Sequence, residues 1–224
     1  MLLNPLEAYR RWAPTYDHQP NPLTALERRT LASLLGDVRG LHIVDVACGT
    51  GYWARRLQHD GSQTVGFDFC EEMVKEGCRH RHSGPHLFLA DAAYIPLRAG
   101  YADLTLCSLA FSYFPQPEQV VLEMARITRK GGRVLVSDMH PAAVAAGWQR
   151  SFRSGGIVYN IFQRTGSAER AARLSSKAGL RLIDRTDARF GWAERALFAE
   201  AGRPDLFAQA TRIPAIQIDT WIRQ

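Results

Sequence analysis

A strand-like run, Ile43-Val44-Asp45-Val46, leads into Ala47-Cys48-Gly49-Thr50-Gly51 and then into a helical pattern. Gly49, Gly51 and Ala54 satisfy the spacing G-x-G-x-x-G/A, in which glycines let the backbone approach a ligand at a helix N-terminus. The usual occupant of such a loop is a pyrophosphate. Here a carboxylate, Asp45, stands just before the loop. It would repel a phosphate and attract a cation. Two further acids close apolar runs: Asp68 follows Gly66-Phe67, and Asp91 follows Leu89-Ala90. Asp68 lies about 20 residues beyond the first glycine, the position from which a carboxylate holds a ribose diol. Asp91 is placed to accept a hydrogen bond from an adenine amino group.

A ligand with adenine, ribose, a positive sulfur and an amino-acid tail meets all three acids. S-adenosylmethionine is such a ligand; a nicotinamide dinucleotide suits Asp68 but not Asp45. Methyl transfer from it is an in-line displacement at the sulfonium carbon, so alignment and a dry site matter most. A hydroxyl or an electron-rich carbon as acceptor would profit from a general base, and histidine is the first candidate type. His140 stands in "SDMHP", after an apolar run and before a rigid Pro141. It is either that base or a local cap. His18 and Tyr113 are weaker candidates in loops near the same mouth. No metal-ligand constellation is present, so the expected metal set is none.

These residues need a scaffold. Apolar runs predict strands at 41–46, 63–67, 86–90, 102–109 and 133–137. Helical spacing predicts helices at 52–59, 71–79 and 117–128, the last with Val120, Val121, Met124 and Ile127 on one face. Gly131-Gly132 is expected to end that helix and turn the chain into the next strand. Alternating β and α units imply a parallel sheet with right-handed crossovers. Beyond His140 the rhythm changes. Gly155-Gly156 could turn a hairpin, a helix is expected at 167–178 before Gly179, and strands follow at 180–185 and in the closing "IPAIQIDTWIRQ" as an edge pair.

The chain resembles the class I S-adenosylmethionine-dependent methyltransferases, in the small-molecule branch similar to ubiquinone/menaquinone-type enzymes. The resemblance rests on "VDVACGTG" (44–51), "VGFDFCEEM" (65–73), "LADAAYIPL" (89–97), "ADLTLCSLAFSYF" (102–114) and "EMARITRKGGRVLVSD" (123–138). "YRRWAPTYD" (9–17) is similar to a segment that folds over the cofactor in such enzymes. The resemblance implies an α/β, Rossmann-like sheet of seven strands, order 3-2-1-4-5-7-6, with strand 7 antiparallel and helices on both faces. It implies that Asp45, Ala47, Gly49 and Gly51 hold the methionine end and that Asp68 takes the ribose. Asp91 and the Ala92 backbone then take the adenine, with Met73 beside the site. Ser108 would lie near the methionine moiety and Tyr16 near the sulfonium. Phe69 either packs on the adenine or belongs to the core. One domain, 1–224, is expected. It divides into an N-terminal lid segment (1–30), a cofactor core (31–140), an insertion forming the acceptor pocket (141–166), and closing helices and strands (167–224). Trp148, Phe152, Tyr159, Phe162 and Trp192 suggest an aromatic acceptor pocket. Tyr9, Trp12 and Tyr16 either pack onto the body or close a lid.

At 224 residues and 46% hydrophobic content, the chain can bury a large core. No apolar run is long enough to span a bilayer, and the N-terminus lacks a secretory pattern, so the cytoplasm is expected. Cys48, Cys70, Cys78 and Cys107 show no C-x-x-C pairing and read as free thiols of a reducing compartment. Net charge is +6 with scattered arginines, which favours a solvated surface over specific nucleic-acid binding. The histidines and arginines of 79–82, with His86, read as an exposed polar loop. The expected partner is a small aromatic or hydroxylated acceptor, the product S-adenosyl-L-homocysteine, and the state a monomer or homodimer. An NAD(P)-dependent oxidoreductase, an RNA methyltransferase and a cofactor-binding protein without catalysis are the alternatives. The first is disfavoured by Asp45 and by the lack of a Tyr-x-x-x-Lys pair.

Overall fold

Continuous apolar runs become central strands because only a sheet covered on both faces buries them whole. The computed structural model describes residues 1–79, 84–164 and 173–224. In its first half, β1 (Leu2–Leu3), α1 (Pro5–Trp12) and α2 (Pro22–Leu35) precede β2 (His42–Val46) and α3 (Tyr52–His59). Then come β3 (Gln63–Asp68), α4 (Glu71–Arg79), β4 (His86–Leu89) and β5 (Ala102–Ser108). α5 (Pro117–Ile127), β6 (Thr128–Met139), α6 (Pro141–Ala145), β7 (Ser151–Ser154) and β8 (Ile157–Ile161) follow. The chain closes with β9 (Leu180–Ala188), α7 (Arg195–Glu200), α8 (Phe207–Ala210) and β10 (Ile216–Arg223).

Seven strands form the main sheet in the order β4-β3-β2-β5-β6-β10-β9. β10 runs antiparallel to both β6 and β9, and the other pairs are parallel. These chain-order labels differ from the expected 3-2-1-4-5-7-6 because β1, β7 and β8 lie in another sheet; counted within this sheet alone, the neighbours are the same. β10 carries the polar residues Gln217 and Asp219 into the interior. Asp219 is paired there by Arg185, its register partner on β9, at 2.6 and 2.8 Å.

Period-2 alternation sorts the core into two layers. Val44, Val46, Cys107, Val134 and Val136 face α5. Ile43, Leu104, Leu106 and Leu135 face α2 and α3. On this second face the next residues of the same phase, Asp45, Ser108 and Ser137, fall at the carboxyl ends of β2, β5 and β6. One apolar layer thus gives way to a polar one at the end where such sheets bind ligands.

Gly131-Gly132 does not end the helix. α5 stops at Ile127, and β6 begins at once at Thr128 and runs through both glycines. The register jumps from Ala102↔Thr128 to Leu104↔Arg133, so the glycines sit in a bulge. A Cβ on Gly132 would lie 2.8 Å from the Arg129 carbonyl oxygen, which is why glycine is needed there. Gly155-Gly156 turns the β7–β8 hairpin with both residues at positive φ, +57° and +80°. Unanticipated was the small sheet β1-β8-β7, in which the N-terminal strand pairs parallel with β8. The expected helix at 167–178 lies partly outside the described residues, as does the 80–83 part of the polar loop; residues 173–177 are helical.

The N-terminal segment is built by two capped helices. Asn4 and Asn21 each accept from a backbone N–H of the following turn, and Pro5 and Pro22 open the helices. Trp12 stacks on Phe152 of β7 at 5.0 Å, and Ala13 packs with Cys70 and Met73. Asp17 accepts from the Thr50 hydroxyl at 2.9 Å, tying the segment to the glycine loop.

Candidate functional site

A cavity of about 210 Å³ opens at the carboxyl ends of β2, β3 and β5, roofed by the N-terminal segment. The loop after β2 makes its floor. Ala47 and Gly49 both adopt positive φ, +56° and +57°. Such a conformation is strained for alanine and persists where surrounding structure enforces it. The strand end after β5 repeats the device at Leu109, φ +51°. Both non-glycine residues line the cavity.

Among the expected cofactor residues, Tyr16, Asp45, Ala47, Gly49, Asp68 and Phe69 line this cavity. Met73, Asp91, Ala92 and Ser108 line it too. Gly51 does not. It caps α3 at φ +80°, and a Cβ there would press on Leu87 at 2.7 Å, so its glycine serves packing. Phe69 is 60% exposed, which removes the core-packing alternative and leaves an open ring at the cavity wall.

The acids differ in how they are satisfied. Asp68 accepts from Gly49 N–H and from Cys70 N–H, each at 2.8 Å, and so shapes the loop while lining it. A carboxylate has about four lone-pair sites, so it keeps capacity for a ligand. Asp91 accepts from Ala93 N–H at 2.9 Å and is solvent-exposed. Asp45 is 1% exposed; the Ala54 backbone N–H of α3 is directed at it, and among the described residues no side chain hydrogen-bonds either of its oxygens. Burial first, then the nearby Glu27 carboxylate, pushes its pKa well up. A buried carboxyl at a cavity wall is a costly feature unless something cationic enters.

Glu27 escaped sequence reading. It is wholly buried on α2 and lines the cavity. Its Oε1 accepts from Ser108 at 2.7 Å and from Ser137 at 2.8 Å, and its Oε2 from the Trp53 indole at 3.2 Å. The signal was available: Leu23, Glu27 and Leu31 share one helix face at i, i+4, i+8, placing an acid within an apolar stripe.

The expected bases fare differently. His140 does not line the cavity. Its Nδ1 accepts from Ala142 N–H at 3.0 Å as the N-cap of α6, and its Nε2 lies 3.4 Å from Asp187. β6 carries it past the cleft and onto β9, so the local-cap alternative describes its position. His18 is exposed and lies outside the cavity lining as well. Tyr113 does line the cavity. Burial pushes its pKa up to about 12, so near neutrality the phenol keeps its proton and is a hydrogen-bond donor, not a base.

The aromatic residues expected in an acceptor pocket are also placed elsewhere. Trp148 stacks on Phe190, Phe152 and Tyr159 pack under α1, and Phe162 and Trp192 are exposed. Arg150, between α6 and β7, reaches the cavity instead. Tyr9, on α1, completes that wall. Neither residue stands in a sequence pattern that announces a ligand. Among the described residues no helix is long and apolar enough to cross a membrane.

Residues 44–136 match a family model described as a methyltransferase domain. The demethylmenaquinone methyltransferase of Beutenbergia cavernae is 35% identical over 131 residues, 58% of this chain and 53% of that one. The malonyl-[acyl-carrier protein] O-methyltransferase of Hamiltonella defensa is 27% identical over 146 residues, 64% of this chain and 56% of its own length. The chain thus spans a little over half the length of the relatives it matches. An S-adenosylmethionine dependent methyltransferase from Mesorhizobium loti superposes with a TM-score of 0.69 at 21% identity, covering 91% of this chain and 100% of that one. The matched segment holds the glycine loop with Asp45, Asp68 and Asp91, and the chain is similar there to methyltransferase domains and shares the fold of a solved S-adenosylmethionine dependent methyltransferase.

Proposed function

We propose that the protein transfers a methyl group from S-adenosylmethionine to a small organic acceptor, aromatic or hydroxylated. The observation that carries this reading is Asp45, a buried carboxyl with no side-chain partner among the described residues, at the wall of a cavity whose neighbouring strand ends supply Asp68 and Asp91. The bound cofactor supplies a methyl group on a positively charged sulfur. Asp45 receives its ammonium, with Glu27 behind it held in place by two serines and an indole. Asp68 accepts from the ribose hydroxyls and Asp91 from the adenine amino group, with Phe69 against the ring. Gly49 and Ala47 let the loop backbone run close to the ligand. Tyr16 and Tyr9 of the N-terminal segment close the cavity and exclude water. Among the described residues no histidine lines the cavity. Alignment and desolvation therefore supply the rate, and the acceptor brings a nucleophile that needs no imidazole.

Calorimetry with S-adenosylhomocysteine and with NAD tests this reading. The homocysteine compound should bind and NAD should not. Asp45→Asn should weaken its binding by about 1.5–3 kcal/mol, the contribution of a charged hydrogen bond, or roughly 10- to 150-fold. Binding of NAD, or an Asp45→Asn protein with unchanged affinity, would overturn it.

A further inference from the structure

The cavity lining holds a second buried charge without an ion-pair partner among the described residues, of opposite sign to Asp45. Arg150 is 4% exposed. Its Nη1 donates to the carbonyl of Leu109 at 2.8 Å, the residue held at positive φ. Tyr9, Tyr16 and Tyr113 face the guanidinium, and its Nη2 is buried with no hydrogen bond of ordinary length among the described residues. The guanidinium carbon stands 6.0 Å from the ring centres of both Trp12 and Tyr113. No ion pair satisfies it among the described residues. The carboxyl that bears on it is Asp138, whose oxygens already accept from the Ser112 amide and hydroxyl and from Met139 N–H. The Tyr113 hydroxyl beside it is likewise buried, with the Tyr9 hydroxyl as its neighbour and no hydrogen bond of ordinary length among the described residues. Two such donors, one of them cationic, thus flank one stretch of cavity wall.

We infer that Arg150 and Tyr113 form a subsite for a carboxylate on the acceptor, one oxygen taken by Nη2 and the other by the phenol. A buried cation left unpaired is costly, and a carboxylate is the anion whose two oxygens match two donors. A phosphate dianion calls for more positive charge than this wall offers. The other arginine lining the cavity, Arg28, is stacked over Tyr52 at 3.4 Å. The cavity is then polarised: carboxylates at the cofactor end, a guanidinium at the acceptor end. The subsite rests on the methyltransferase reading above, and it narrows the acceptor class to molecules bearing a carboxylate.

The test compares isosteric probes on the full chain saturated with S-adenosylhomocysteine. Benzoate and benzamide differ in charge and little in shape, and binding is read from the quenching of tryptophan fluorescence, Trp12 lying beside the subsite. Benzoate should bind at least tenfold more tightly than benzamide. Arg150→Gln should erase that preference while leaving S-adenosylhomocysteine affinity unchanged, and Arg150→Lys should keep part of it. A purely structural Arg150 would lower the melting temperature of the variants without changing the ratio of the two probes. Equal or absent binding of the pair to wild type, or a preference that survives in Arg150→Gln, would overturn the subsite. If Arg150→Gln does not fold, the wild-type ratio and Arg150→Lys decide. Inorganic phosphate competing better than benzoate would also overturn it. Failure of S-adenosylhomocysteine to bind wild type is a different result, and would overturn the methyltransferase reading itself.

Discussion

At the scale of single residues, the sign of a charge and the presence of a partner separate function from packing. His140 has both ring nitrogens engaged locally, one on the α6 N-terminus and one toward Asp187. Asp45 and Arg150 carry buried polar atoms that form no hydrogen bond of ordinary length among the described residues. His140→Ala is therefore expected to cost about 1 kcal/mol of stability, the loss of a helix cap. It should leave S-adenosylhomocysteine affinity and turnover near wild type, as read by thermal unfolding, calorimetry and an acceptor assay. A drop in turnover of a hundredfold or more with intact cofactor binding would return His140 to the chemistry. The three acids were legible in the sequence because each closes a strand and the strand ends converge. Arg150 was not, because its role depends on a hairpin folding back toward Leu109, 41 positions earlier.

At the scale of elements, legibility followed contact distance along the chain. The series β2–α3–β3–α4 is local, and its periodicity set its bounds: α3 and α4 occupy 52–59 and 71–79 as expected. The sheet β1-β8-β7 is not local. β1 has two residues, and its partner Asn160 lies far along the chain from Leu2, so no window of sequence holds the pattern. The start of β6 was misread for another reason: a glycine pair that signals a turn served here as a bulge inside a strand. Gly77 shows what such elements demand of each other. It sits on α4, and a Cβ there would lie 2.4 Å from the Thr50 carbonyl oxygen of the glycine loop. The neighbour is backbone, which cannot swing aside. Gly77→Ala should cost about 1–3 kcal/mol by overpacking and displace the loop that carries Gly49. S-adenosylhomocysteine affinity should fall with it, although Gly77 lines no part of the cavity. Calorimetry and thermal unfolding on the same sample check both effects. Unchanged affinity would mean that the loop holds its shape without α4.

At the scale of the whole molecule, the buried carboxyls link stability, pH and ligand. Burial raises the pKa values of Asp45, Glu27, Asp68 and Asp138. In the unfolded chain such groups ionise near pH 4. Between that value and the raised folded value, the unfolded state has lost its proton and the folded state has kept it. Raising the pH through this window therefore favours unfolding, and these four groups make the ligand-free protein less stable as pH rises. Asp60 and the half-buried Glu123, whose pKa values their arginine partners lower, act in the opposite direction. A single-site difference isolates the buried contribution. Asp45→Asn removes one raised carboxyl and keeps its shape. Its melting temperature should come nearest that of wild type at pH 4, where Asp45 of the unfolded chain still holds part of its proton, and exceed it by a margin that grows toward pH 8. Ligand inverts the comparison. The ammonium of S-adenosylhomocysteine favours the ionised form of Asp45, so wild-type affinity should tighten as pH rises across the same window, and the affinity of Asp45→Asn should not. Thermal unfolding from pH 4 to 8, with and without S-adenosylhomocysteine, reads both trends. A constant difference between the two proteins at every pH would place the cost of Asp45 in packing and not in charge. The expected pattern instead makes Asp45 a site that the folded chain tolerates at a loss, offset when the cation arrives.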